Sequence, residues 1–202
     1  MNHPTIRTLA GAAAPHAIDA KSTALLVIDF QNEYFDGRLP VPNGLPALRN
    51  TQRLIAYADQ KRMPVFHVQH LAPAESPVFA ETSKSVEFHR ELQPAPHHVV
   101  LQKTSVSVFP TTDLDSRLKA SGIRTLIVTG LMTHACVAGA ARDAVPLGYD
   151  VIVVDDACAT RDIDAPGGVI PHDVLHRSAL ASIDDTFGAI VTTDQLLKLP
   201  AA

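Results

Sequence analysis

The sequence predicts an α/β domain whose parallel sheet is covered by helices on both faces. Three observations carry this. Six short β-rich runs recur along the chain, they are almost wholly apolar rather than alternating, and stretches with helical spacing separate most of them. A strand exposed on one face alternates polar and apolar residues, whereas a strand covered on both faces reads as a continuous apolar run. Such strands interleaved with helices imply one parallel sheet with right-handed crossovers.

The strand runs are Thr23 to Asp29, Val65 to Gln69, Val99 to Gln102, Thr125 to Thr129, Asp150 to Val154 and Gly188 to Thr192. Leu45, Leu48, Leu54, Ile55 and Ala58 recur with helical spacing and predict a helix that ends before Pro64. Leu114, Leu118 and Ala120 predict a second helix ending at Gly122, and Cys136 to Leu147 and Val174 to Ile183 predict two more. The stretch His70 to His98 carries Pro73, Pro77, Pro94 and Pro96 and has little periodicity beyond a short helix at Ser83 to Glu91. Segments of that length in compact domains act as lids or binding loops, so it is expected to roof a pocket.

Residues 1–20 read as an arm, loose or docked on the surface, and residues 21–202 as one domain. Pro4, Pro15, His3 and His16 interrupt the small residues at Ala10 to Ala14 before a signal-peptide core forms. A chain of 202 residues is long enough to bury a core without staples. Its net charge of −4 offers no footprint for nucleic acid, and its longest apolar runs are far too short to span a bilayer. A small-molecule partner and a cytoplasmic location follow as expectations. The only two cysteines, Cys136 and Cys158, suit a reduced compartment better than a disulfide scaffold.

The chemistry is expected at the carboxyl edge of the sheet, where open parallel sheets bind ligands. Asp29 closes the first run, Lys103 follows the third, and Cys136 follows the fourth by a short turn. A cysteine in a helix's first turn meets unpaired N–H groups and the positive end of the dipole, which favour the thiolate. A carboxylate beside it can take its proton while a lysine ammonium stabilises the anion. Each residue alone has an ordinary explanation: Asp29 as a cap, Lys103 as a solvated charge, Cys136 as an inert buried thiol. Their ordered combination is what carries weight.

The run Ala24 to Phe35 with Asp29, Gln31, Asn32 and Phe35, the Lys103 after Val99 to Leu101, and the turn with Gly130, Thr133, Cys136 and Val137 resemble the isochorismatase-like cysteine hydrolases, a family that includes nicotinamidase and N-carbamoylsarcosine amidase. The resemblance runs from about Lys21 to Leu197. It implies a three-layer α/β/α, Rossmann-like fold with a six-stranded parallel sheet. It also implies Asp29 as proton shuttle, Lys103 as charge partner and Cys136 as nucleophile. A cis peptide between Leu131 and Met132 is further implied, with the N–H groups of Met132 and Cys136 as the oxyanion hole. Homo-oligomers are common in the family.

Nicotinamidases carry an Asp-x-His metal site with a further histidine, whereas this chain reads His67, Val68, Gln69, His70 with no acid at the matching place. Histidines three apart on a strand point to opposite faces, so no metal, no cofactor and no nicotinamide are expected. Phe30, Phe35, Phe79 and Phe109 are candidate pocket walls, joined by Gln31, Leu131 and His134 as further substrate contacts. The resulting expectation is hydrolysis of a small amide or carbamoyl compound at its C–N bond through a thioester. The alternatives are vinyl-ether hydrolysis of isochorismate, which needs Asp and Lys without a cysteine, and a catalytically silent binding protein of the same fold.

Overall fold

The structure, a computed structural model, describes residues 3–200; residues 1, 2, 201 and 202, the outer ends of the expected arm and domain, lie outside the described residues. The strands are β1 (Thr23–Ile28), β2 (Val65–His70), β3 (Val99–Lys103), β4 (Thr125–Leu131), β5 (Asp150–Ala159), a hairpin of β6 (Ile163–Ala165) and β7 (Gly168–Ile170), and β8 (Ala189–Val191). The helices are α1 (Ile6–Leu9), α2 (Gly44–Lys61), α3 (Leu114–Ala120), α4 (Ala138–Ala144), α5 (His172–Thr186) and α6 (Thr193–Leu197). Six strands form one parallel sheet in the order β3-β2-β1-β4-β5-β8. The strand order reverses between β1 and β4, so their carboxyl ends flank the point where such sheets open a crevice.

The apolar runs of β1 and β4 form strands because both of their faces are covered, whereas β3, at the sheet edge, alternates, with Val100 and Gln102 exposed. Ala24, Leu26 and Ile28 of β1 pack with side chains of α3, α4 and α5, while Leu25 and Val27 pack with those of α2 and α6. These are two buried cores on opposite faces of one sheet, giving the three-layer α/β/α arrangement. On α2 the buried positions Ala47, Leu48, Thr51, Leu54 and Ala58 repeat at helical spacing, and Arg62 closes the helix in a left-handed conformation at φ 58°. At Gly130 the chain has φ 149°, and a Cβ there would sit 2.5 Å from the carbonyl oxygen of Ile28. Glycine therefore lets β4 approach β1 closely where both strands end.

Several elements differ from the sequence expectations. β5 continues to Ala159 because its register with β4 steps from Val128↔Val153 to Gly130↔Cys158, so three extra residues of β5 loop out of the ladder. Asp155 and Asp156 lie in that bulge, where carboxylates that resemble a strand end find bonds to later elements. The expected helix at Ser83 to Glu91 is only a 3₁₀ turn at Lys84–Val86, and the hairpin, α1 and α6 are short elements beyond those the sequence predicts. The arm is docked: the Ile6 N–H donates to Asp185 at 2.8 Å and Arg7 lies 3.6 Å from Asp184. No helix among the described residues is long and apolar enough to cross a membrane.

Candidate active site

Asp29 is the first residue past β1, and it holds a left-handed backbone at φ 55°, a conformation Asp tolerates better than most residues. Its N–H donates to Val68 O at 2.9 Å, and its carbonyl takes the N–H of Gln31 at 2.8 Å. Lys103 closes β3, two strands away from β1 and about 9.6 Å distant across the ladder. Only a long side chain can cover that separation. The Lys103 ammonium passes over the end of β2 and reaches Asp29 Oδ2 at 2.9 Å, with both side chains fully buried. It also contacts His70 Nδ1 at 2.9 Å, Ser105 O at 3.1 Å and Cys136 Sγ at 3.4 Å.

Cys136 does not open an α-helix as its sequence context predicts. It lies in a π-helical turn, Thr133–Val137, in which the Met132 carbonyl receives the N–H groups of Ala135 and Val137 before α4 begins. The Leu131–Met132 peptide is cis, as the resemblance implies. The structure thus brings Asp29, Lys103 and Cys136 together, although 107 positions separate the first from the last.

Burial governs the electrostatics. Enclosure pushes the Asp29 carboxyl up, against the pull of Lys103. Hydrogen bonds from Lys103 and Cys136 pull the other way, the ammonium lying 2.9 Å from Oδ2. Burial also raises the Cys136 thiol, and the neighbouring Asp29 raises it further while Lys103 works in the opposite direction. This corrects the expectation of a resting thiolate: a buried sulfur beside a carboxylate loses more from desolvation than it gains from a nearby dipole or ammonium. Burial and Lys103 together lower His70, which suits a neutral ring whose Nδ1 accepts from the ammonium.

The expected substrate contacts divide. Phe79 sits edge-on to His70 at 5.1 Å and to Tyr34 at 5.2 Å, over the Lys103 side of the site. His134, in the π turn, is held by Thr160 Oγ1 at 2.6 Å. Gln31 is not free for substrate: its amide donates to His70 O and Val86 O and accepts the His70 N–H, all at 2.7–2.8 Å. Phe30 and Leu131 have no exposed surface and belong to the core under α2. Phe35 instead lies on the His89 ring and lines a groove of about 700 Å³ with Val41, Lys84 and Arg90, none of the three central residues being part of it. Phe109 stacks on Tyr149, which directly precedes β5 at the amino edge, and so helps fill the opposite helix layer.

Sequence reasoning missed four participants. The sequence offers His70 only as a metal ligand, yet it lies opposite Lys103 in the β2–β3 register. Tyr34 is fully enclosed, and burial, with Cys136 and Asp29 nearby, holds its hydroxyl well above the ordinary tyrosine range. His176 on α5 links Thr133 Oγ1 at 2.8 Å to Asp155 Oδ1 at 2.7 Å, bracing the π turn against the β5 bulge. Arg161, two residues past β5, acts on His134 and Tyr34 and has a buried Nε with no acceptor among the described residues.

A family model described as an isochorismatase domain matches residues 23–195. The uncharacterized isochorismatase family protein YddQ of Bacillus subtilis is 34% identical over 88% of this chain and 99% of its own length. The ureidoacrylate amidohydrolase RutB of Caulobacter vibrioides is 32% identical over 86% of this chain and 69% of its own. The crystal structure of an isochorismatase from Pseudomonas putida superposes with a TM-score of 0.90 at 31% identity, covering 96% of this chain and all of that one.

Proposed function

We propose that this chain, which belongs to the isochorismatase family, is a cysteine-dependent hydrolase that cleaves the C–N bond of a small amide or carbamoyl compound. One observation carries the reading: a buried sulfur and a buried carboxyl meet the same buried ammonium at the carboxyl edge of the sheet. Its similarity to an amidohydrolase supports the same reaction class.

Moving the Cys136 proton to Asp29 leaves the net charge of the three groups unchanged. That redistribution is feasible where creating a new charge would not be, because the raised carboxyl is ready to hold a proton and the ammonium compensates the sulfur. The sulfur attacks the carbonyl carbon, and the N–H groups of Met132 and Cys136 receive the developing oxyanion, worth about 3 kcal/mol per donor. Protonated Asp29 delivers its proton to the departing nitrogen as the C–N bond breaks, leaving a thioester. Water then gives a proton back to Asp29 as it attacks, the C–S bond breaks, and the proton returns to sulfur.

Ammonia release from a panel of primary amides, ureas and carbamoyl acids tests this, with Cys136→Ala alongside. Turnover of at least one member that is lost in the variant is the expected result. Isochorismate turnover that survives Cys136→Ala, with no amide hydrolysis, would transfer the chemistry to Asp29 and Lys103 alone.

A further inference from the structure

A second cluster of metal-ligating side chains lies at the opposite, amino edge of the sheet and takes no part in the reaction above. Asp59 is in the last turn of α2, and His97 and His98 directly precede β3. Asp59 Oδ1 lies 2.9 Å from His97 Nε2 and 3.0 Å from His98 Nε2, and the three donor atoms fall within 4.8 Å of one another. We propose that Asp59, His97 and His98 bind a divalent first-row transition metal, zinc being the natural probe.

The donor set selects the metal class. Two imidazoles and one carboxylate suit zinc and its neighbours, whereas calcium and magnesium require an oxygen-rich shell. Bonds of about 2.0–2.2 Å place neighbouring ligand atoms of a tetrahedron about 3.3 Å apart, so the two spacings from Asp59 Oδ1, 2.9 and 3.0 Å, need only a small outward shift. His97 and Asp59 face solvent, which leaves the fourth position to water. His98 is the rigid member: its side chain is 2% exposed, and its Nδ1 accepts the Ala95 N–H at 3.1 Å and lies 3.2 Å from His67 Nε2.

That support defines a signature. A neutral imidazole bound to metal through Nε2 carries its proton on Nδ1. Metal binding must therefore release the Ala95 amide from His98 and turn His98 into the donor toward His67 Nε2. The fully enclosed His67, whose Nδ1 has no partner among the described residues, then becomes the outer support of the site. Without metal, two imidazole N–H groups simply share one carboxylate oxygen and tie the end of α2 to β3.

The experiment uses the full, tag-free chain titrated with zinc alone by calorimetry, with cobalt as a spectroscopic substitute and the Ala95 amide followed by nitrogen-15 NMR. One equivalent is expected, with tetrahedral cobalt bands and a shift confined to residues around 59, 67 and 95–98. Affinity should fall more than about tenfold in Asp59→Ala and in His97→Gln, both with unchanged circular dichroism, and should persist in Cys136→Ser. Three results would overturn the proposal: no saturable binding, unchanged affinity in both surface variants, or loss of binding in Cys136→Ser. The last would locate the metal at the sulfur.

Discussion

The ion pair between Lys103 and Asp29 should weaken the fold less when removed whole than when broken. The two groups are 2.9 Å apart and fully enclosed. Desolvating such ions costs several kcal/mol each, and their attraction offsets that cost only while both are present. Asp29→Asn keeps the left-handed backbone accessible but strands the ammonium, and Lys103→Met strands the carboxyl; each should lower stability by about 3–5 kcal/mol. The double variant leaves neither charge uncompensated. Its loss should fall short of the sum of the singles by at least about 2 kcal/mol, a coupling typical of buried networks. Urea unfolding followed by circular dichroism, with midpoints compared at constant slope, measures the cycle, while all three variants should be inactive. Single variants within about 1 kcal/mol of the parent, or strictly additive losses, would refute the claim that two buried charges depend on each other.

Three further outcomes follow from the same geometry. Because Asp29 raises the Cys136 thiol and Lys103 lowers it, the pH midpoint for iodoacetamide labelling of Cys136 should move down in Asp29→Asn and up in Lys103→Met. Mass spectrometry of labelled peptides reads both directions, and Asp29→Asn should label faster at neutral pH while turning over nothing. His67 is held neutral by burial, its pKa lowered from 6.5 to about 4, so the unfolded chain binds a proton across that interval and the folded chain does not. Stability should therefore decline as pH falls from about 6.5 to 4, by about 3 kcal/mol in all, and His67→Phe should flatten this part of the urea-midpoint profile. His176→Ala leaves the buried Thr133 hydroxyl without its partner; about 1–3 kcal/mol of stability should be lost, with kcat falling more than KM changes because the π turn loosens under the sulfur.

How far the primary structure disclosed the site depends on whether each signal was local. The strands β1 and β4 are legible because their residues are apolar on both faces, β2 and β3 because short β-branched and apolar runs open them, and Asp29, Lys103 and Cys136 are legible because each falls at or just past the end of such a run. The continuation of β5 is not, since Asp155 and Asp156 look like punctuation until His176 and Thr193, far along the chain, supply their partners. The π turn has no residue signature, and the thiol's raised pKa arises from enclosure by distant segments rather than from its neighbours in sequence. Aromatic walls were the least legible: Phe30, Phe35, Phe79 and Phe109 all sit near sheet edges in the chain, but loop geometry sends one inward under α2, one outward against His89, one over His70 and one to the far helix layer.

The Gln31 side chain, two residues beyond Asp29, grips the backbone at His70 and again at Val86. Those two footholds bracket the stretch that carries Phe79, so the span between them is an arch whose feet are bolted to the same short loop as the acid. Because both footholds lie outside the span, a change within it is expected to leave the Asp29 carboxyl in place. The proposed division of labour is one in which the span 71–85 sets the cover over His70 while the Gln31 clamp keeps the acid where the sheet puts it.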